Sequence, residues 1–346
     1  MYIWAVIYTD MQKRILITGA GGFIGGFIVD EALRRGYETW AGVRSTTSRE
    51  YLQDDRIHFI DLCFADKKVL KEQLLGQLSA VGKWDYIAHN LGATKCKDFS
   101  DFEKINCTFV RNFAEVLTEI NALPEQFIMM SSLSAWGVGD ERGFTPIRPD
   151  DEPRPNTFYG KSKLAAERAL QAIPGFPYLF LRPTGVYGPR EKDYFLMIKS
   201  IKAGFDFSVG YRKQLITFIY VKDLVKAIFL AIDKGVKRRG YFLSDGGAYT
   251  SSQFRRYAAR ELRKRVVIPI RVPLFVLRAV SFIAEKMAAL SGGTSTLNGD
   301  KYRIMKQRNW NCDIEPMRTE LGYEPQWMLR RGTREAVKWY KEQGWL

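Results

Sequence analysis

Tyr159 and Lys163 stand four residues apart in Tyr159-Gly160-Lys161-Ser162-Lys163, and the serine-rich stretch Ser131-Ser132-Leu133-Ser134 lies upstream. On a helix that spacing puts a phenol and an ammonium on one face. A free tyrosine, with a pKa of about 10, is a poor base at neutral pH. A neighbouring ammonium, helped by a cationic cofactor ring, favours the phenolate and is expected to lower that value. The phenolate then takes a proton from a secondary alcohol as hydride leaves, or the phenol gives one to a ketone in reverse. One of the serine hydroxyls is expected to hydrogen-bond and polarise the reacting oxygen. A lone Tyr-x-x-x-Lys is often only an exposed helix face, so its weight here comes from what precedes it.

Hydride chemistry of this kind needs a dinucleotide, and the N-terminal part offers a place for one. The apolar run Arg14–Thr18 leads into Gly19-Ala20-Gly21-Gly22-Phe23-Ile24-Gly25 and then a helical pattern. Gly19 permits the tight turn, Gly22 lets backbone approach a pyrophosphate, and Gly25 allows close helix–strand packing. The pyrophosphate would sit on free N–H groups where Phe23 and Ile24 open the helix. Lys163 is also expected to hold the nicotinamide ribose. The second strand ends at Arg44, with no acid between Glu38 and Glu50. A guanidinium suits a 2′-phosphate, so NADP is favoured over NAD. Asp61-Leu62 follows the third strand within reach of an adenine, and Asn90-Leu91-Gly92 close the fourth at the edge where such sheets bind ligands. His89 reads as a strand-end histidine rather than a catalyst.

The elements that must position these groups are legible as a rhythm. Arg14–Thr18, Glu38–Val43, Ile57–Ile60, Trp84–His89, Gln126–Ser131 and Tyr178–Arg182 read as buried strands. Helical stretches such as Phe102–Ile120 and Tyr159–Ala172 lie between them, which predicts crossovers and a parallel sheet covered on both faces. After Pro183 the rhythm breaks. Residues 11–183, with returning segments near 215–248, are expected to form the nucleotide-binding domain, and 184–214 with 249–346 a smaller α+β substrate cap.

Composition excludes several classes. With 46% hydrophobic and 26% charged residues the chain is an ordinary globule rather than a disordered one. Cys63, Cys96, Cys107 and Cys312 have no metal-ligand spacing and only His58 and His89 to help them, so no metal is expected. Nor is a disulfide framework, and a reducing, cytoplasmic setting fits. The N-terminal MYIWAVIYTD is too short to span a bilayer and lacks a cationic leader; it reads as an extension, with the fold beginning near Met11. Residues 1–170 hold 21 Lys+Arg against 23 Asp+Glu, and residues 171–346 hold 32 against 15, so the net +15 sits in the second half. That charge suits an anionic substrate or an acidic surface. No aromatic-interleaved motif accompanies it, so no nucleic-acid partner is expected.

In this order, TGAGGFIG, Asp61-Leu62, SSLSAWG, YGKSK, LRPTGVYGP, FIYVKDL and the C-terminal LGYEPQW and WYKEQGWL resemble the extended short-chain dehydrogenase/reductase superfamily, the NAD-dependent epimerase/dehydratase family. The resemblance covers nearly the whole chain. It implies an α/β fold, a Rossmann doubly wound parallel sheet of about seven strands with a smaller C-terminal α+β substrate domain. It also implies a homodimer through the helices Phe102–Ile120 and Tyr159–Ala172. By carry-over Ser132 is the catalytic hydroxyl and Tyr159 and Lys163 the acid/base pair. Pro183 and Val186 would pack near the nicotinamide, and Asn106 would hold the helix beside the site.

Two departures bear on substrate. Dehydratases of the superfamily follow the catalytic hydroxyl with Asp-Glu, whereas Leu133 and Ser134 stand here. Nucleotide-sugar epimerases carry a diphosphate-binding arginine where Ile216 stands, although Arg190 or Arg212 could substitute. The pattern looks closer to the 3β-hydroxysteroid dehydrogenase and dihydroflavonol reductase branches. The expected activity is therefore hydride transfer between NADP(H) or NAD(H) and a secondary alcohol or ketone of a bulky small-molecule substrate. A nucleotide-sugar epimerase is the alternative and a non-catalytic NADP-binding protein the second. The apolar stretches 273–277 and 280–283, flanked by cations, would suit contact with an acidic membrane surface. The favoured expectation is instead an ordinary cap helix packed on the core with a solvated basic face.

Overall fold

The computed structural model describes residues 12–290, 295 and 298–346, so the expected extension and the boundary at Met11 fall outside the described residues. The chain runs β1 (Arg14–Thr18), α1 (Phe23–Arg34), β2 (Glu38–Gly42), β3 (His58–Ile60), α2 (Lys67–Ala80), β4 (Tyr86–His89), α3 (Phe99–Glu103), α4 (Phe109–Glu119), β5 (Gln126–Met130), α5 (Phe158–Gln171) and β6 (Tyr178–Pro183). It continues through β7 (Gly185–Tyr187), α6 (Asp193–Ala203), β8 (Phe205–Val209), β9 (Phe218–Tyr220), α7 (Val221–Asp233), β10 (Arg239–Leu243), α8 (Ser251–Glu261) and β11 (Ile268–Val272). Helices α9 (Leu274–Leu290), α10 (Gly299–Lys306), α11 (Glu315–Leu321) and α12 (Leu329–Glu342) complete it.

Seven strands form one parallel sheet in the order β3-β2-β1-β4-β5-β6-β10. The protein is thus an α/β, doubly wound fold. Alternation along each strand sends residues to opposite faces. Ile15 and Ile17 of β1 join one core with Ile28 and Val29 of α1 and Ile228 and Phe229 of α7. Leu16 joins the other, with Leu70 of α2, Val110 and Phe113 of α4 and Ala166 of α5. Strands buried on both faces must be apolar throughout, which is why RILIT reads as a continuous run. The strand order reverses between β1 and β4, so their carboxyl ends, Thr18 beside His89, border the crevice where such sheets bind ligands.

Local outcomes differ from the sequence pattern in instructive ways. The expected helix Phe102–Ile120 begins at Phe99 and is interrupted by a π-helical turn over Lys104–Thr108. Outside the large sheet, β7 and β9, α6, α8 and α12 enclose a third core around Tyr187, Phe218, Tyr220, Phe254 and Tyr340. The expectation for the cap helix is overturned. In α9, Leu277 and Ser281 are buried, while Phe275, Phe282, Ile283, Met287 and Leu290 are exposed. Its inner side is lined by Leu277, Ser281 and Ala284, so most of the bulky residues point away from the core. Among the described residues no helix is long and apolar enough to cross a membrane.

Candidate active site

The glycine loop takes the shape its residues allow. Gly19 has φ +66°, and a Cβ there would lie 3.0 Å from both Asn90 O and Leu91 N, so the turn and the strand-end loop at 90–91 fit only without a side chain. Leu91 N donates to Thr18 Oγ1 at 3.2 Å, fixing that loop beside β1. Gly22 caps α1 with no side-chain hydrogen bond, which leaves the first-turn N–H groups of Phe23 and Ile24 to a ligand or water. A Cβ on Gly25 would collide with the Gly19 carbonyl, and Ile24 packs on the first core. This cradle of bare backbone N–H groups at the positive end of a twelve-residue helix fits a dinucleotide pyrophosphate.

Around it, Arg44 is exposed at the end of β2. Asp61 accepts from Ser45 N at 3.2 Å, and Leu62 is buried in the second core. Pro183 is buried at the end of β6, and Val186 packs on the first core. His89 is buried, with Nδ1 at 3.1 Å from Thr18 Oγ1, and desolvation pushes its pKa down to about 3. That keeps it neutral, a structural group.

The serine cluster and the tyrosine helix meet beyond the end of β5. Ser131 is buried and donates to Glu167 at 2.5 Å; Glu167 also receives Arg182, Nη2 to Oε2 at 2.8 Å, and that guanidinium stacks on Trp136 at 3.7 Å. Ser131 is therefore fully committed to the scaffold. Ser132 is the free-facing hydroxyl: it accepts from Ser134 N at 3.1 Å and lies on the Tyr159 side, where it favours the phenolate. Lys163 is buried and donates to Met130 O at 2.9 Å, and a Cβ on Gly92 would lie 2.8 Å from its Nζ. Asn106, in the π-helical turn, is a clamp. Its Oδ1 accepts from Ala93 N at 2.8 Å and its Nδ2 donates to Ala93 O and Ser162 Oγ, both at 3.0 Å. Ser162 in turn donates to Tyr159 O at 2.8 Å, so the loop after β4 is tied to the tyrosine helix. The distortion that aims Asn106 there is of a kind frequent at functional sites.

The titration of the pair corrects the sequence expectation. Burial pushes the Tyr159 phenol up to about 12, only partly offset by Ser132, and pulls Lys163 down to about 8, partly offset by Glu167. Lys163 does not lower the phenol here, because the same desolvation disfavours both charged forms and its ammonium is spent on the Met130 carbonyl.

Two contributors escaped sequence reasoning. Glu167 had a signal, since it lies four residues beyond Lys163 and so on the same helix face. Asp300 of α10 had none. Its carboxylate accepts from Phe158 N and Tyr159 N, both at 3.0 Å, while the Thr157 side chain accepts from Gly160 N at 2.9 Å. The exposed N–H groups at the start of α5 are thereby satisfied from a segment far along the chain.

This arrangement gathers a bare glycine cradle and a serine–tyrosine–lysine cluster at one edge of a doubly wound sheet. The profile of the NAD dependent epimerase/dehydratase family matches residues 15–243, and the chain belongs to that family within the extended short-chain dehydrogenase/reductase superfamily. It is an enzyme of that superfamily. It is 25% identical over 338 residues to UDP-glucose 4-epimerase of Vibrio cholerae, covering 95% of each chain. It is 23% identical over 341 residues to ceramide reductase of Caulobacter vibrioides, covering 98% of each. The crystal structure of UDP-glucose 4-epimerase with UDP-glucose from Thermotoga maritima superimposes with a TM-score of 0.75 at 20% identity, covering 95% of this chain and 99% of that one.

Proposed function

We propose that the chain is an NADP-preferring oxidoreductase that interconverts a secondary alcohol and a ketone on a bulky, largely apolar substrate. The observation that carries this reading is the grouping of Ser132, Tyr159 and the buried Lys163, clamped through Asn106 at the carboxyl edge of the sheet, beside the glycine cradle. The nicotinamide, when bound, supplies or accepts the hydride. Tyr159, held protonated at neutral pH by burial, hands its proton to the carbonyl oxygen of a ketone, and Ser132 hydrogen-bonds that oxygen. Lys163 and Asn106 keep the helix and the loop after β4 in register with the cradle. Segments 184–214 and 249–346 are the proposed substrate cap.

Two features support an apolar substrate over a nucleotide sugar. Ile216, where epimerases carry a diphosphate-binding arginine, is partly buried against the third core and pairs with Tyr249 through backbone bonds of 2.8 Å in both directions. Arg190 is no substitute, because it lies between the rings of Phe27 and Tyr51 and pairs with Asp30 at 3.3 Å. Similarity along the full length to a protein named ceramide reductase points the same way. The preference for NADP rests on Arg44, exposed just after β2 with no acid between Glu38 and Glu50 in the sequence.

The test incubates the purified chain with NADPH or NADH and long-chain or steroidal ketones, and in parallel with UDP- and GDP-sugars. Ketone-dependent oxidation of NADPH is the expected result. Epimer formation from a nucleotide sugar, with NAD retained through turnover, would refute the proposal.

A further inference from the structure

The helix α9 is inside out for a soluble protein. Phe275, Phe282, Ile283, Met287 and Leu290 are between 56% and 90% exposed, and Val280 is 47% exposed. With 3.6 residues per turn these six side chains fall within an arc of about 160°. The opposite side carries Leu277, Ala284 and Ser281, whose hydroxyl donates back to Leu277 O at 2.7 Å. Only two cations and one acid, Arg278, Lys286 and Glu285, interrupt the helix. The two-stranded sheet that feeds it behaves in the same way. Phe205 and Ile268 are register partners in β8 and β11, and with Phe207 they are exposed, while Asp206 between them turns inward to Arg255. Leu274, the first residue of α9, stands beside Gly210 at the end of β8. A single exposed leucine needs no explanation; a helix and the adjoining strands presenting their largest apolar residues together mark an interaction surface.

Charge decides what covers it. Arg263, Lys264 and Arg265 lead into β11, Arg271 lies within it, and Arg278 and Lys286 lie on α9; all six are exposed and none has an ion-pair partner among the described residues. A second copy of the chain would bring the same uncompensated cations to a symmetric contact, where they repel. An anionic bilayer complements them and receives the aromatic and aliphatic side chains at its headgroup boundary. At about 1.5 Å per residue the helix is about 25 Å long, suited to lying in that boundary.

We propose that α9, with the β8–β11 edge, is an interfacial anchor that docks the enzyme on anionic lipid membranes. The anchor sits one helix from the chemistry, because α9 packs on α10 and α10 carries the Asp300 that holds the backbone of Tyr159. Docking therefore sets the catalytic helix close to the bilayer.

The test is co-sedimentation of the full chain with vesicles of phosphatidylcholine alone or mixed with phosphatidylglycerol. Partitioning onto the mixed vesicles should exceed that onto phosphatidylcholine by roughly tenfold or more and fall steeply with added salt. A triple Phe275→Ser, Phe282→Ser, Ile283→Ser variant should lose at least about tenfold in partitioning while keeping its thermal midpoint. Arg278→Glu with Lys286→Glu should abolish the preference for phosphatidylglycerol. Absence of wild-type binding to mixed vesicles overturns the proposal, as does undiminished binding by the triple variant. A dimer that the triple variant splits, with neither protein bound to vesicles, overturns it in favour of a second copy. Vesicle binding requires no turnover, so its failure leaves the oxidoreductase reading standing.

Discussion

Replacing Asp300 with alanine removes the acceptor that, among the described residues, serves two N–H groups at the start of the tyrosine helix. Both bonds are 3.0 Å long and end on a carboxylate that is 8% exposed, so each is charge-assisted in a largely dry setting. A hydrogen bond to a charged group contributes about 1.5–3 kcal/mol, and a negative charge at a helix N-terminus a further 0.3–1 kcal/mol. Phe158 is partly open to solvent, so water replaces some of the lost bonding, and Arg303, the third partner at 3.1 Å, is a weak, half-exposed one. A net loss of about 2–3 kcal/mol follows, with Asp300→Asn losing about half, since its amide oxygen still accepts but carries no charge. Urea unfolding followed by tryptophan fluorescence measures it. Because Tyr159 is the second residue of that helix, ketone-dependent turnover should also fall by roughly tenfold or more while NADPH affinity is kept. A loss under about 0.5 kcal/mol in Asp300→Ala, or an Asn variant as damaged as the Ala one, refutes the reasoning.

Other outcomes follow from the same geometry. Glu167→Ala strands Arg182 in the core and releases Ser131, so it should cost about 3–5 kcal/mol by denaturant unfolding; a loss below about 1 kcal/mol contradicts the buried-pair reading. Tyr159→Phe should cut turnover by about a hundredfold or more with NADPH binding unchanged, and a variant that works like the parent refutes the proton role. Arg44→Ala should weaken NADP binding about tenfold and barely touch NAD; equal losses would count against a 2′-phosphate site. Lys163 is held down at about 8 from its ordinary 10.5, so the unfolded chain takes up that proton first as pH falls. Wild type should therefore gain about 3 kcal/mol relative to Lys163→Met as pH rises from about 8 to 10.5, and a flat difference across that window would show that burial does not depress the ammonium.

The parts of this protein legible in the sequence are those whose physics is local. A strand buried on both faces must be an unbroken apolar run, a turn with φ +66° pressed against a neighbouring loop must be glycine, and two groups on one helix face must be four apart; β1, Gly19 and the Tyr159–Lys163 pair follow directly. What the chain's own order could not tell is which groups meet across it. Asp300 reaches Tyr159 N across 141 residues, and Ser131 rather than Ser132 is taken by Glu167, because only the packed sheet sets β5 against α5. The tyrosine's titration also belonged to the tertiary structure, since spacing brings an ammonium near a phenol but burial decides what both are worth. The orientation of α9 shows the limit most clearly. Its composition announced an apolar helix, yet periodicity ranks the faces of a helix without saying which one has room beside it. Here Leu277 and the small residues beside it found a place against the fold, and most of the large ones were left outside.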